Sequence, residues 1–320
     1  MTAVYVDSRK TPAFFQVDLD GIWAIRRCYN YDMGAAFDDD PVYTEGLPLL
    51  LDFLKKYGVP ATLFVAGKDL EIPTRVSLLK ECVAQGCEIA CHTYNHVIGL
   101  GALSDSMIRA EILDNVRIIE NMLQCKVSGF RAPGYDVNER IWNAVAESGL
   151  CYDASLFSSP WTKVLKRIVN TFITRAERGT RQFGAPCVSP PREPFRLGAV
   201  PEFREATFRH IMEFPIALSP WLKLPVQVSY LHLMGDMAFR RTARWYSARG
   251  IPLGCIFHGI DFVDTRKYQV LPDAKATARV FFNISLARKL KVAERVFSEV
   301  CRYFLPMTMS GWLSDSNNQG

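Results

Sequence analysis

Histidine is scarce in this chain: five occur in 320 residues, so two that fall close together carry weight. Long apolar runs are absent as well, and none is long enough to span a bilayer. The most apolar region, 211–235, is broken by Pro215, Pro220 and Pro225, which excludes one membrane-spanning helix there. The start, Met1 to Lys10, is polar and mixed in charge with no apolar stretch behind it, so no export signal and a cytoplasmic setting are expected. Cysteine is present without a pairing pattern. Nine are scattered through mostly apolar segments, an odd number that points to reduced thiols rather than a disulfide framework. No internal repeat or linker is visible. One domain over residues 1–320 is therefore expected, with a core of about 12–305 and a tail, 306–320, disordered from Ser314 onward.

What is there is an ordinary globular balance, 49% hydrophobic and 22% charged. The net charge of +5 is uneven: residues 160–250 carry 15 Lys and Arg against 6 Asp and Glu, a balance of +9, which leaves −4 elsewhere. That basic stretch suits an anionic substrate or a peripheral contact with an anionic membrane surface, or else a set of solvated helices; no nucleic-acid partner is expected.

Apolar runs alternate with helical periodicity. Residues 12–20 read as a buried strand ending in Asp18 and Asp20, which face the same way at a spacing of two. Residues 22–43 read as a loop. Helices are expected at 45–57, 72–85, 104–123, 138–148, 237–249 and, partly broken, 274–304; strands are expected at 61–66, 88–91, 127–131, 150–155, 212–216 and 253–257. Residues 156–210 break the pattern and read as an insertion, with a basic amphipathic helix at 161–177. Alternating strands and helices imply a parallel sheet. The polar clusters fall at the C-terminal ends of its strands, where α/β folds build sites: Asp18 and Asp20, His92 and His96, Arg131, Asp153, His258.

His92 and His96 stand at i, i+4 after the strand 88–91. A helical turn there would put both imidazoles on one face. Alone, such a pair is as readily an ordinary polar turn. With a carboxylate it makes a three-ligand site for a divalent ion with a place left for water. Cys87 and Cys91 flank the pair and would suit a Cys/His zinc site, but on a strand they read as buried core thiols. Asp20, His92 and His96 can hold the ion, and Asp18 lies near enough to take a proton from the water it binds. Arg131 can keep Asp18 ionised through a charge-assisted bond. His258 can protonate a leaving amine, with Asp153 to orient its ring.

These stretches resemble the polysaccharide deacetylases of carbohydrate esterase family four. They are Val-Asp-Leu-Asp-Gly (17–21), Ala-Thr-Leu-Phe-Val-Ala-Gly (61–67), Glu-Ile-Ala-Cys-His-Thr-Tyr-Asn-His (88–96), Phe-Arg-Ala-Pro-Gly-Tyr (130–135), Glu-Phe-Pro-Ile (213–216) and Ile-Phe-His-Gly (256–259). The resemblance implies an α/β fold of the NodB-homology kind, a distorted, partly open (β/α)7-type barrel, with the insertion in 156–210. It implies metal-dependent removal of an N-acyl group, acetyl or formyl, from an amino sugar. By motif, Asp18 would be the general base, Asp20, His92 and His96 the metal ligands, Arg131 the support of the base and His258 the general acid. The backbone N–H near Tyr135 would help hold the oxyanion. Zinc is the usual ion, and an Asp-His-His set also admits cobalt, nickel or manganese. The first motif is Asp-x-Asp where the family commonly has adjacent aspartates, and Tyr-Asp-Ala-Ser (152–155) is the nearest match to its Asp-Trp signature.

The Asp-x-Asp start and Glu-Gly-Leu-Pro-Leu-Leu (45–50) look similar to the branch acting on lipid-linked amino-arabinose at the inner membrane face. A lipid-linked or glycan-precursor sugar is one expected substrate and a soluble N-acetylated sugar the other. Two readings from other classes stand beside these: a metal-independent amidohydrolase acting on a small cyclic amide, and a non-catalytic sugar- or lipid-binding module.

Overall fold

Parallel strands covered on both faces must be apolar along their length, and in the computed structural model the first of them, Pro12–Asp18 (β1), is buried at all but its first residue. The structure describes residues 10–28, 37–157, 159, 191–268, 270–271 and 283–317. The expected helix at 161–177 and most of the insertion lie outside the described residues. The remaining strands are Thr62–Val65 (β2), Glu88–Cys91 (β3), Gly129–Phe130 (β4), Tyr152–Asp153 (β5), Phe195–Arg196 (β6), Met212–Glu213 (β7), Leu253–His258 (β8) and Leu305–Pro306 (β9). They form one sheet in the order β6-β7-β5-β4-β3-β2-β1-β8, with β9 against the start of β1. All pairs are parallel except β6 with β7. The sheet curls without closing, the partly open barrel that the sequence implies.

The helices are Ile22–Cys28 (α1), Leu47–Tyr57 (α2), Pro73–Ala84 (α3), Asp105–Leu123 (α4), Glu139–Glu147 (α5), Val228–Met234 (α6), Asp236–Ser247 (α7), Leu286–Tyr303 (α8) and Met309–Asn317 (α9). Their ends follow local chemistry. Ser104 caps α4 by accepting from the Met107 N–H, and Asn138 caps α5 by accepting from the Ile141 N–H. Gly58 ends α2 in the left-handed region at φ 62°. In α4, Ile108, Ile112, Val116, Ile119 and Leu123 form a buried stripe at helical spacing. On the same face of the sheet Phe297 of α8 stacks on Phe15 at 4.3 Å and also meets Phe53, Tyr57 and Phe257. Burying one such ring contributes on the order of 1.5–3 kcal/mol.

Two expectations are corrected. Residues 22–28, read as loop, form α1, because tertiary contacts hold a helix too short to declare itself by periodicity. Trp23 donates its indole N–H to Asp69 at 2.7 Å and its backbone N–H to Asp40 at 3.2 Å. Asp40, last of an acidic run, is fully buried and also caps the Val42 N–H; burial raises its carboxyl to about 6. The tail is ordered to Asn317 in α9, since Trp312 packs edge-on against Phe14 and Phe214. There the Met309 and Ser310 N–H groups bond Thr62 and Glu88.

Gly129 opens β4, the strand that delivers Arg131. A Cβ there would come within 1.8 Å of the Tyr152 ring, and that ring is pinned by its hydroxyl donating to Glu88 at 2.8 Å. Gly129→Ala should destabilise the protein by about 1–3 kcal/mol, read as a lowered urea midpoint; an unchanged midpoint would show that the ring yields freely.

Candidate active site

Strand register assembles the site. Along β1 and β8 the paired residues run from Ala13 with Leu253 to Asp18 with His258, so the last residue of each strand faces the other. Two strands from β1, beyond β2, β3 ends at Cys91, and the His92 N–H continues its ladder to the Val65 carbonyl at 3.1 Å. The chain then leaves the strand without turning helically, a correction to the expected i, i+4 face. Thr93 and His96 adopt left-handed backbone at φ 60° and 52°, unusual for a β-branched threonine and persistent only where neighbours fix it. Helix α4 does the fixing. Asn115 donates to the carbonyls of Val65 and Thr93 at 3.0 and 2.9 Å. Glu111 receives both the backbone and side-chain amides of Asn95 at 2.8 Å.

This irregular turn brings the two imidazoles within 5.0 Å, ring centre to ring centre, and aims both Nε2 atoms at Asp20. His92 Nε2 lies 3.3 Å and His96 Nε2 3.0 Å from Asp20 Oδ1. Yet Asp20 Oδ1 and His96 Nε2 are buried with no hydrogen-bond partner among the described residues. Donor atoms that converge without bonding one another fit a shared cation, and one ligand atom from each residue lies within 4.8 Å of the others. Burial works against a charged Asp20, but the His96 and His92 imidazoles outweigh it and hold its carboxyl well below the usual range. Burial also works against a charged His96, and the Asp20 carboxylate outweighs it, leaving this imidazole well above its ordinary value. A divalent ion would replace that internal pairing with its own charge. The sulfurs of Cys87 and Cys91 stay in the core, as expected, with the Cys91 thiol turned toward the Ile112 carbonyl.

Asp18 is buried beside this cluster. Its Oδ1 accepts from Arg131 Nη1 at 2.6 Å. Arg131 also donates to Gln16 Oε1 and to the Ala154 carbonyl, and its guanidinium lies 4.1 Å over the Phe64 ring. Asp18 Oδ2 faces two groups: the Tyr135 hydroxyl at 3.3 Å and His258 Nε2 at 3.8 Å. Six of the eight residues singled out from sequence therefore meet directly, and Tyr135 joins them by an unexpected atom. Its backbone N–H, expected to face an oxyanion, donates to the Ala132 carbonyl at 2.9 Å inside its own turn. Its phenol instead reaches Asp18 and accepts from Gln227 Nε2 at 2.7 Å.

Asp153 does not reach His258, which corrects the expected pairing. Its carboxylate takes the Trp142 indole N–H at 2.7 Å and the Ser155 hydroxyl, and it lies level with Glu213 on β7. Gln16, Gln227 and Cys28 went unnoticed from sequence, and Glu213 entered only within the stretch 213–216, without a role. Gln16 carried a signal, a buried polar residue two before Asp18 and on the same face of β1. Gln227 and Cys28 carried none, because their partners lie far off in the chain.

A family model described as polysaccharide deacetylase matches residues 32–152, which include His92, His96, Arg131 and Tyr135 but neither Asp18, Asp20, Asp153 nor His258. A peptidoglycan-N-acetylglucosamine deacetylase of Bacillus cereus is 31% identical over 151 residues, 45% of this chain and 67% of that protein. A bifunctional xylanase/deacetylase of Pseudobutyrivibrio xylanivorans is 35% identical over 109 residues, 34% of this chain but only 17% of that protein. The chain thus spans a small part of the second relative's length. A solved structure of a polysaccharide deacetylase homologue from Mycobacterium smegmatis covers 97% of this chain and 91% of its own, with a TM-score of 0.61 at 18% identity, which shows a common fold.

The Asp153–Glu213 neighbours supply a pH test. Burial first, then the Asp153 charge, raises the Glu213 carboxyl well above its ordinary 4.5. The folded protein therefore holds a proton that the unfolded chain releases above that value, and stability falls as pH rises from there through the raised value, by up to about 1.4 kcal/mol per pH unit. Glu213→Gln should flatten this slope in denaturation curves taken at several pH values. An unchanged slope would show that Glu213 is ionised in the fold.

Proposed function

Because this chain belongs to the polysaccharide deacetylase family, we propose that it hydrolyses the N-acetyl group of an amino sugar using one divalent ion held by Asp20, His92 and His96. The observation that carries this reading is the convergence of those three side chains, with Asp20 Oδ1 and His96 Nε2 buried and unpartnered, directly beside the Asp18–His258 pair. When bound, such an ion acidifies a water and polarises the amide carbonyl, and zinc is the first choice for two imidazoles and a carboxylate.

The remaining steps fall to the chain's own groups. Arg131, locked by three acceptors, holds Asp18 Oδ1 and keeps that carboxylate aimed. Asp18 Oδ2 is left to accept the proton of the attacking water. Tyr135, through its hydroxyl, positions Asp18 in place of the oxyanion role expected of its N–H. His258 Nε2, 3.8 Å across from Asp18 Oδ2 and partly open to solvent, delivers a proton to the departing amine. Asp153 serves as a structural anchor for Trp142 and Ser155 under the site.

We read the described elements as one domain. Acetyl is preferred over formyl because the related proteins are named deacetylases. A lipid-linked amino sugar is the narrower form of this reading. It draws on the basic stretch 160–250 and on Trp221 and Leu222, exposed by 67% and 59%. Among the described residues no helix is long and apolar enough to cross a membrane, so that form requires peripheral contact, which co-sedimentation with anionic vesicles at low salt reads out.

Acetate release from N-acetylated glucosamine oligomers tests the proposal. Asp18→Asn should keep its metal and lose about 100-fold or more in kcat; loss of metal instead would exchange the roles of Asp18 and Asp20. His258→Ala should lower kcat with metal content unchanged, and near-normal turnover across pH would remove it as the acid.

A further inference from the structure

A histidine that offers Nε2 to a cation must carry its proton on Nδ1, and that proton needs an acceptor to fix the ring. His92 meets the requirement through the backbone. Its Nδ1 lies 2.7 Å from the Arg131 carbonyl, a group that can only accept, so the tautomer is settled. At His96 the corresponding atom faces a side chain: Nδ1 stands 3.6 Å from the sulfur of Cys28, at the end of α1. A thiol can donate as well as accept. If it donated, the ring proton would sit on Nε2, pointing at Asp20 Oδ1 3.0 Å away, and no lone pair would be left for an ion. His96 Nε2 is buried and without a hydrogen-bond partner among the described residues, as a lone pair reserved for a cation would be.

We propose that Cys28 is the positioning residue of the second metal-ligand histidine, its sulfur accepting the His96 Nδ1 proton and fixing the tautomer that binds metal. This deepens the metal-site reading above and rests on it. The placement of Cys28 does not depend on the thiol itself. Helix α1 is tied down by Trp23 to Asp69 and Asp40 and by Arg26 Nε to the Val270 carbonyl at 3.2 Å, and the Trp23 ring lies edge-on to His96 at 6.3 Å. The sulfur bonds the ring nitrogen opposite the one aimed at Asp20, so it supports a ligand and is not one. Cys28 lies outside the motifs that carry the family resemblance and outside the stretch 32–152 matched by the family model. A sulfur acceptor is longer and weaker than a carbonyl, which makes His96 the more loosely oriented of the two imidazoles.

The test uses the full chain, stripped with chelator and titrated with cobalt, for wild type, Cys28→Ala and Cys28→Ser. Affinity is read by competition with a metal dye and geometry by the visible cobalt spectrum. The expected result is a loss of about 10- to 100-fold in affinity in Cys28→Ala with a changed visible band and an unchanged urea midpoint of the stripped protein. Cys28→Ser, which restores an acceptor, should lie between the two, and it carries the test if the alanine variant does not fold. Affinities of both variants within about twofold of wild type would overturn the proposal. So would an intense near-ultraviolet sulfur-to-cobalt band in wild type, lost in Cys28→Ala, because that band marks direct ligation. Wild type that binds no cobalt would instead sink the metal-site reading itself, and this proposal with it.

Discussion

The buried ion pair between Arg131 and Asp18 is the constraint around which the site is built. The two residues sit at the ends of β4 and β1, which are separated in the sheet by β2 and β3, so they touch at 2.6 Å only because the sheet curls. Neither side chain is accessible enough to find water in place of its partner. Removing one member would strand a buried charge, at a cost of about 3–5 kcal/mol. The guanidinium also takes Gln16 and the Ala154 carbonyl, binding β1, β4 and the exit of β5 into one frame. In that frame Asp18 is held by one oxygen, with the other directed toward Tyr135 and His258.

The Asp20–His92–His96 cluster beside it depends on a second constraint, the left-handed turn at Thr93 and His96. A regular helix after β3 was the simplest way to place i and i+4 rings together. The chain uses a strained turn instead, over-determined by Asn115 and Glu111 from α4. The amphipathic stripe that seats α4 on the sheet therefore also sets the histidine geometry, which links core packing to the site.

Much of this was legible because parallel strands are apolar runs whose ends show as sudden polar residues. Asp18, His92, Arg131 and His258 stood out for that reason, and strand order brought them together. What escaped were contacts set by neighbours distant in sequence. Asp153 stood at a strand end like the others, but Trp142 from α5 and Glu213 from β7 claim it. Helix α1 is seven residues long and is held by Asp40 and Asp69, so periodicity could not reveal it or the approach of Cys28 to His96. The C-terminal residues are polar enough to read as a loose tail, yet Met309 and Trp312 pack into the aromatic cluster around Phe14.

The most direct measurement couples metal to turnover. Wild type and His96→Ala, stripped with chelator, would be titrated with zinc while acetate release from N-acetylated glucosamine oligomers is followed in the same samples. Stripped wild type should be inactive and regain full turnover at a single equivalent of ion, whereas His96→Ala should not respond at stoichiometric metal. Stripped wild type that keeps its turnover would contradict the metal site as the centre of the chemistry.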